Sequence, residues 1–372
     1  MTKSWLLNSD ADYKRLGLTR GVVQPWEDGQ RDNYRKNAFE WWYFDAILDD
    51  GTKIAACYCT KTQPFTFVKG AHPSVSVHIT DADGKEYRAN HRKFKKDEIS
   101  FSKEGCDVKL GPHVFKGDLQ DYHIKAEPVD GLGFDVTLTN KGQSWRPGTG
   151  YSGFGENADG RPEKYFTWTC MVPRGRVEGT VTINGKTHHI TGTGYHDHQW
   201  GDTIQFQFLN NWLWSRQQTK DYGLVVFDFI MNAKYDHARI PLVFLQNNAG
   251  DILFQSIEGV QWEVLDEIDQ PVVGCPFPKT TRYVFHDDKG QTLEYTLKVK
   301  QILDDRNIYK GVPFFMRSMF AGSHPKYGRY VADGQFTLRR ADGSTISDGG
   351  DLIYEFAYVQ DSYRELMDTS TK

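Results

Sequence analysis

The chain has 372 residues, room for two domains, and its net charge of −4 comes from interspersed acidic and basic residues. Because no basic stripe occurs, we expect no nucleic-acid partner. Aromatic residues make up 14% of the chain, a content that suits β-strands and also a pocket for a hydrophobic ligand.

Five cysteines form a sparse, odd-numbered set, unlike the paired cysteines of secreted disulfide proteins. The N-terminus lacks the apolar core of a signal peptide, and no run of residues reaches the length of a membrane helix. We therefore predict a cytoplasmic protein with no integral membrane segment. Composition leaves the oligomeric state open.

The first long predicted strand follows a polar, turn-rich stretch, residues 1–37, which we interpret as an N-terminal arm. This strand, Phe39–Leu48, would carry Trp41 and Tyr43 on one face and Glu40 on the other. Both faces are largely apolar, so we expect both to be covered. An acid among apolar neighbours must pair, protonate or face a cavity, which singles out Glu40.

Short strands separated by Gly and Asp-Gly turns recur along the rest of the chain, and helical periodicity is almost absent. Asp50-Gly51 and Asn184-Gly185 are hairpin signals of this kind. The pattern predicts an all-β protein built from antiparallel barrels or sandwiches. We place an N-terminal barrel at residues 38–203 and a C-terminal barrel at residues 204–372.

The densest group of chemically able side chains lies at Gly192–Asp202, read G-T-G-Y-H-D-H-Q-W-G-D. If this segment is extended, its side chains alternate between two faces. One face would carry His196, His198 and Trp200. The other would carry Tyr195, Asp197 and Gln199. The bracketing glycines permit tight turns or bulges at either end, and the segment is the candidate site.

His196 and His198 could share a metal, but the spacing of the remaining residues marks no third ligand. The sequence has no G-x-S-x-G elbow for a serine nucleophile. Gly192-x-Gly194 lacks the third glycine and the helix that a dinucleotide site needs. We therefore predict neither a metal nor a cofactor.

Asp228 lies in the middle of an otherwise apolar strand, G-L-V-V-F-D-F-I-M-N, so either face of that strand would bury its carboxyl. Burial raises the pKa of a carboxyl, and a protonated acid near neutral pH can act as a general acid. The alternative is a structural aspartate satisfied by the backbone or by Arg216 or Arg239. Trp212 and Trp214 share a strand face and suit either a pocket wall or plain core.

Three motifs carry a family resemblance: E-W-W-Y at Glu40–Tyr43, F-x-W with a nearby proline at Phe166–Pro173, and G-T-G-Y-H-D-H-Q-W-G from Gly192. Together they resemble the carotenoid 1,2-hydratase-like, or AttH-like, lipocalin superfamily, over most of the chain. The resemblance implies two consecutive lipocalin-like (calycin) β-barrels with a hydrophobic ligand pocket at or between them.

Members of that superfamily include hydratases of polyene double bonds, kievitone-hydratase-like enzymes and fungal pericyclases that fold polyenes into decalins. In the hydratases, the motif histidine and tryptophan and an aspartate on a later strand are the proposed acid machinery. The resemblance places these roles at His198, Trp200 and Asp228. The fold alone does not select among the reactions.

We predict a cofactor-independent hydratase or dehydratase that acts on a C=C bond of a hydrophobic terpenoid- or polyene-like molecule. The predicted catalytic residues are Asp228, His198, Trp200 and Tyr195. The predicted substrate-binding residues are Glu40, Trp41, Tyr43, Trp212, Trp214 and His196. The alternatives are an isomerase or cyclase that folds its substrate, and a lipocalin that only binds a hydrophobic ligand.

Overall fold

The computed structural model describes residues 2–61, 65–314, 317, 320 and 322–359. Strands make up 61% of the structure and helices 8%. The prediction of an all-β protein with little helix is therefore confirmed.

The first sheet contains thirteen strands. They are β1 (Ser4–Leu6), β2 (Phe39–Leu48), β3 (Lys53–Cys59), β4 (Ser74–Thr80), β5 (Glu86–His91), β6 (Ile99–Phe101), β7 (Asp107–Leu110), β8 (His113–Gly117), β9 (Asp121–Val129), β10 (Leu132–Asn140), β11 (Tyr151–Glu156), β12 (Pro162–Ile183) and β13 (Lys186–Gly201). Its main path runs β5-β4-β3-β2-β13-β12-β10-β9-β8-β7-β6, and β1 and β11 lie off this path. Neighbours along the path are antiparallel.

The second sheet contains nine strands. They are β14 (Leu209–Gln218), β15 (Tyr222–Met231), β16 (Arg239–Asn247), β17 (Ile252–Ser256), β18 (Val260–Gln270), β19 (Cys275–His286), β20 (Thr292–Asn307), β21 (Lys326–Arg339) and β22 (Thr345–Tyr358). The order is β17-β16-β15-β14-β22-β21-β20-β19-β18, again with antiparallel neighbours.

The helices are short. Over the described residues, the α-helices are α1 (Asp10–Leu16) and α2 (Ile308–Gly311), and 3-10 turns occur at Pro25–Asp28, Lys96–Glu98, Gln205–Gln207 and Ala233–Tyr235. Ser9 and Asp12 form a capping box at the start of α1, and Gly17 ends the helix in the left-handed conformation. The polar, turn-rich stretch interpreted as an N-terminal arm therefore contains regular elements.

Both sheets are curled, and each encloses its own hydrophobic core. Trp42 and Phe44 are fully buried in the core of the first sheet. Val226 and Tyr283 are fully buried in the core of the second sheet. We call the side of a strand that points into the core its core face, and the other side its opposite face. Two such curled antiparallel sheets confirm the predicted two-barrel, lipocalin-like fold.

The chain divides into two compact units. The first unit comprises Leu6–Gly153 and Pro162–Ile204. The second unit comprises the described residues within Met1–Trp5, Phe154–Arg161 and Gln205–Lys372. The division at residues 37 and 203 stays a prediction.

The hairpin signals are confirmed. Asn184 and Gly185 have φ of 52° and 75° and form the two-residue turn between β12 and β13.

Around the candidate site β13 runs through the motif as far as Gly201, so no turn interrupts it. The pairing of β12 with β13 is irregular between Val172 and Gly175, beside Gly194, as the expectation of a bulge implies. A Cβ at Gly192 would lie 2.4 Å from the carbonyl oxygen of Ile47 on β2. Glycine there permits close packing of two strands.

Candidate active site

The candidate motif lies on β13, which pairs with β2 on one side and β12 on the other. The predicted alternation of side chains along it is confirmed. His196 and His198 point to the core face, where their rings contact carboxylates. Tyr195 and Asp197 point to the opposite face and hydrogen-bond to one another. The motif therefore supplies two separate groups of side chains.

His196 forms a fully buried pair with Asp28 on the core face. Its Nδ1 lies 2.8 Å from the backbone carbonyl oxygen of Tyr43, and its Nε2 lies 3.1 Å from Oδ2 of Asp28. A carbonyl oxygen only accepts, so Nδ1 carries a hydrogen and donates it. Nε2 of His196 faces the carboxylate of Asp28, and neither side chain is exposed by more than 1%.

His198 repeats this arrangement with Glu40. Its Nδ1 donates to the carbonyl oxygen of Glu27 at 3.2 Å, and its Nε2 lies 2.9 Å from Oε1 of Glu40. Neither side chain of the His198–Glu40 pair is exposed. The core face therefore holds two buried pairs of histidine and carboxylate.

Glu40 also accepts two backbone N–H groups, from Arg31 at 2.6 Å and from Asp32 at 2.7 Å. Burial raises the pKa of Glu40, and the hydrogen bond from His198 opposes that rise. The predicted need for a partner is met by these contacts. They bind the chain before β2 to the first sheet, a structural role for Glu40.

Asp28 also attaches the chain before β2 to the first sheet. Its Oδ2 accepts the hydroxyl of Tyr122 at 2.6 Å, and its backbone carbonyl accepts Nε1 of Trp42 at 2.9 Å. Glu27 beside it forms a buried ion pair with Arg146. Sequence reasoning missed Glu27 and Asp28, because P-W-E-D lies in a short 3-10 turn that produces no periodic pattern.

Asp197 is the central group of the opposite face, and neutral donors surround its carboxylate. Nε1 of Trp168 donates to Oδ2 at 3.0 Å, and the hydroxyl of Tyr195 donates to the same oxygen at 2.9 Å. Nε2 of Gln199 donates to Oδ1 at 3.1 Å. Burial raises the pKa of Asp197 to about 6, and the three hydrogen bonds oppose a larger rise.

Half-buried side chains of β2 lie beside Asp197 on the opposite face. Tyr43 lies directly across from Asp197 in the register of β2 and β13, and Trp41 lies across from Gln199. The hydroxyl of Tyr43 donates to Asp45 at 3.0 Å. The opposite face therefore combines an acid that titrates near neutral pH with partly exposed aromatic rings.

Trp200 lies on the core face, away from Asp197. Its ring centroid is 4.7 Å from that of His198, and its Nε1 donates to the hydroxyl of Tyr151 at 3.3 Å. It is buried in the first unit. The predicted catalytic set thus falls on both sides of one strand, with Tyr195 on one side and His198 and Trp200 on the other.

Asp228 belongs to the second unit, on the core face of β15. It is buried, as predicted, with 2% of its surface exposed. Its two oxygens accept Nε and Nη2 of Arg239 at 2.9 and 2.6 Å, and Oδ2 also accepts the hydroxyl of Tyr283 at 3.0 Å. These contacts match the alternative of a structural, arginine-paired aspartate, and the assignment of Asp228 as a proton donor stays a prediction.

Trp212 and Trp214 share the opposite face of β14, as predicted. They lie across from Phe229 and Phe227 on β15. Trp212 is half-buried and Trp214 is buried. These four rings form an aromatic patch on the second sheet, and the assignment of the two tryptophans to substrate binding stays a prediction.

One group of possible metal ligands occurs within the described ranges. Ligand atoms of Asp28, Cys106 and His196 lie within 4.8 Å of one another. Burial, followed by the charge of Asp28, raises the pKa of the Cys106 thiol well above its usual range, which keeps the thiol protonated. Asp28 and His196 hydrogen-bond to one another, and Sγ of Cys106 donates to the carbonyl oxygen of Phe115 at 3.6 Å. The expectation that the protein needs no metal stays a prediction.

The fold and the site define a two-barrel lipocalin-like protein with a buried acid behind an aromatic face. The sequence model of the AttH-like family matches residues 19–316. The chain belongs to the AttH-like family.

Two proteins are similar to this chain in sequence, and one solved structure is similar in fold. The chain is 24% identical to Diels-Alderase ORF3 of Pyricularia oryzae over 270 residues, which cover 68% of this chain and 67% of that protein. It is 20% identical to the ceramide-binding protein svf1 of Emericella nidulans, over 64% of each protein. The structure is similar to that of kievitone hydratase from Nectria haematococca, with a TM-score of 0.55 and 12% identity over 92% of this chain and 96% of that one.

Across the part of the chain that the structure describes, no helix has both the length and the apolar character needed to cross a membrane. The cytoplasmic location stays a prediction.

Proposed function

We propose that this protein is a cofactor-independent hydratase or dehydratase, acting on a C=C bond of a hydrophobic small molecule, with Asp197 as the general acid. The observation that carries the proposal is the pKa of Asp197, raised to about 6 behind half-buried aromatic side chains. A general acid is most effective when its pKa lies near the working pH, and its typical contribution is roughly 10²–10⁴-fold.

The hydrogen bonds indicate which oxygen would carry the proton. Oδ2 of Asp197 already accepts from Trp168 and Tyr195, whereas Oδ1 accepts only from the half-buried Gln199. The proton therefore belongs on Oδ1, toward the partly exposed part of the face. Tyr195 and Trp168 act as positioning residues that hold the carboxyl group in place.

Hydration then follows a balanced sequence. The O–H bond at Oδ1 breaks, and the π electrons of the alkene form a C–H bond with that proton. The second carbon becomes a cation, which the ring faces of Trp41 and Tyr43 stabilise. Water adds to the cation and returns a proton to the Asp197 carboxylate, and dehydration is the reverse of these steps.

This proposal assigns different roles to the residues on the core face. His198 binds Glu40, and His196 binds Asp28 and the backbone of β2. Glu40 and His198 also bind the chain before β2. Trp200 packs against this group. We propose that these four residues hold the sheet in the geometry that places Asp197, and that Asp228 has the same structural function in the second unit.

Two alternatives are favoured by specific observations. Similarity to a Diels-Alderase supports an isomerase or cyclase, in which the aromatic face folds the substrate and no acid is required. Similarity to a ceramide-binding protein supports a lipocalin that binds its ligand without reaction. The requirement for the Asp197 proton distinguishes hydration from both.

The test uses a panel of polyenes and terpenoids incubated with wild-type protein in D₂O, with mass spectrometry of the products. Hydration by Asp197 incorporates deuterium at carbon, and Asp197→Asn abolishes product formation while the protein stays folded. A product without deuterium identifies the cyclase or isomerase. Binding without any product identifies the ligand-binding protein.

A further inference from the structure

Two phenylalanine side chains are exposed on the connection between β3 and β4. Phe65 is 40% exposed and Phe67 is 50% exposed, whereas Thr66 between them is buried. A single exposed apolar residue is ordinary on a protein surface. Two large exposed rings, two residues apart in the sequence, present apolar surface that favours contact with a partner.

Hydrogen bonds fasten this connection to the chain before β2. The backbone N–H of Gly70 donates to the carbonyl oxygen of Tyr34 at 3.0 Å. The ammonium group of Lys61 donates to the carbonyl oxygens of Arg35 at 2.6 Å and Val68 at 3.0 Å. The two stretches of chain therefore form one surface.

That surface is basic. Residues 33–37 and 65–70 contain three basic side chains, all exposed, and no acidic residue. The cationic patch consists of these three basic residues and the two phenylalanines: Arg35, Lys36, Lys69, Phe65 and Phe67. Rings that can enter the headgroup region, flanked by cations that meet lipid phosphates, are the elements of interfacial membrane binding.

We propose that the cationic patch docks the protein on the surface of an anionic lipid bilayer. Charge complementarity selects this partner. Arg35 faces one acid, Asp202, but the three exposed cations outnumber it, so the patch matches the negative potential of such a surface. The patch also adjoins the end of β3, where Cys59 lies across from Trp41. A hydrophobic molecule leaving the bilayer would therefore meet the aromatic face of β2. Docking does not depend on the chemistry proposed for Asp197.

The experiment is co-sedimentation of the full chain with vesicles. One set contains phosphatidylcholine and phosphatidylserine, and the other contains phosphatidylcholine alone. We expect binding to the first set, weakened by salt. The double variant F65S/F67S should lose binding. The triple variant R35Q/K36Q/K69Q should lose about fivefold for each charge removed.

The matched control is F314S, which removes an exposed phenylalanine, 82% accessible, from the second unit. We expect F314S to bind like wild-type. Equal binding to both vesicle sets, equal loss in F314S, or full binding by F65S/F67S overturns the proposal. Vesicle-independent self-association that F65S/F67S abolishes would assign the patch to a second copy of this chain and would also overturn it.

Discussion

Asp197 in the first sheet and Asp228 in the second are both buried on strands, yet their surroundings differ. Asp197 accepts hydrogen bonds from an indole, a phenol and an amide, none of which is charged. Asp228 accepts two hydrogen bonds from the guanidinium of Arg239. The difference teaches that burial alone does not make a proton donor, because a neighbouring cation stabilises the ionised form of the same group.

The largest effect is expected for Asp197→Asn. The amide keeps the size of the side chain but has no acidic proton, so turnover should fall by roughly 10²–10⁴-fold. The measurement is kcat on whichever substrate the panel identifies, with the melting temperature recorded on the same preparation. Asp135→Asn, a change at a partly exposed aspartate of β10, should leave kcat unchanged. Wild-type turnover by folded Asp197→Asn would remove Asp197 from the mechanism.

Removing Arg239, the cation beside Asp228, should lower the free energy of unfolding and leave kcat near that of wild-type. Arg239→Met leaves a buried carboxylate without its partner, which typically costs ~3 kcal/mol or more of unfolding free energy. Arg282→Met is the matched control, because the Arg282–Glu294 pair is largely exposed and should cost less than ~1 kcal/mol. Urea unfolding measures both.

The comparison of Asp197 with Asp228 also predicts the behaviour of Asp228→Asn. We expect a lower melting temperature, since the buried ion pair is lost, and a kcat near that of wild-type. A folded, stable Asp228→Asn protein without turnover would restore Asp228 as the proton donor.

The free energy of unfolding should also depend on pH through Asp197, by an amount similar to or smaller than the effect of Arg239→Met. Because the folded pKa of Asp197 is raised from 3.8 to about 6, the folded state binds its proton more tightly than the unfolded state. This contribution to stability is complete below about pH 4 and is lost as pH rises through about 6. It amounts to about 3 kcal/mol, since one pKa unit corresponds to ~1.4 kcal/mol.

The check is the unfolding free energy of wild-type minus that of Asp197→Asn, followed from pH 3 to 7. The difference should decrease by about 3 kcal/mol over this interval. Parallel curves for the two proteins would mean that Asp197 titrates alike in the folded and unfolded states.

The smallest effect is expected for Tyr195→Phe. Loss of its hydrogen bond to the carboxylate should raise the pKa of Asp197, because that bond favours the charged form. The descending limb of the pH–rate profile should move up by about one pH unit, since a hydrogen bond to a charged group contributes roughly 1.5 kcal/mol. Tyr87→Phe removes a similar bond to Asp81 elsewhere in the sheet and should not move the profile.

The sequence predicts much of the fold because local rules govern it. Turn residues mark the hairpin at Asn184-Gly185, and a period of two assigns His198 and Asp197 to different faces of one strand. The predicted catalytic set nevertheless combined both faces, since a dense motif suggests one site. The alternation of side chains along the strand already predicts that Tyr195 lies on the face opposite to His198 and Trp200.

The partners of each acid could not be predicted, because they come from distant strands. Trp168 reaches Asp197 from β12, and Asp28 reaches His196 from a turn far earlier in the chain. Arg239 was one of two candidate partners for Asp228, and only the strand register decides between them. Which groups surround each buried acid, and whether those groups are charged, therefore depends on the tertiary fold and not on the neighbouring residues in the sequence.

The most direct test of the account is a carboxyl ¹³C NMR titration of aspartate-labelled protein, wild-type against Asp197→Asn. The account predicts one resonance, absent from Asp197→Asn, that titrates with a midpoint near pH 6. A resonance assigned to Asp197 that titrates at or below the ordinary value of 3.8 would contradict it.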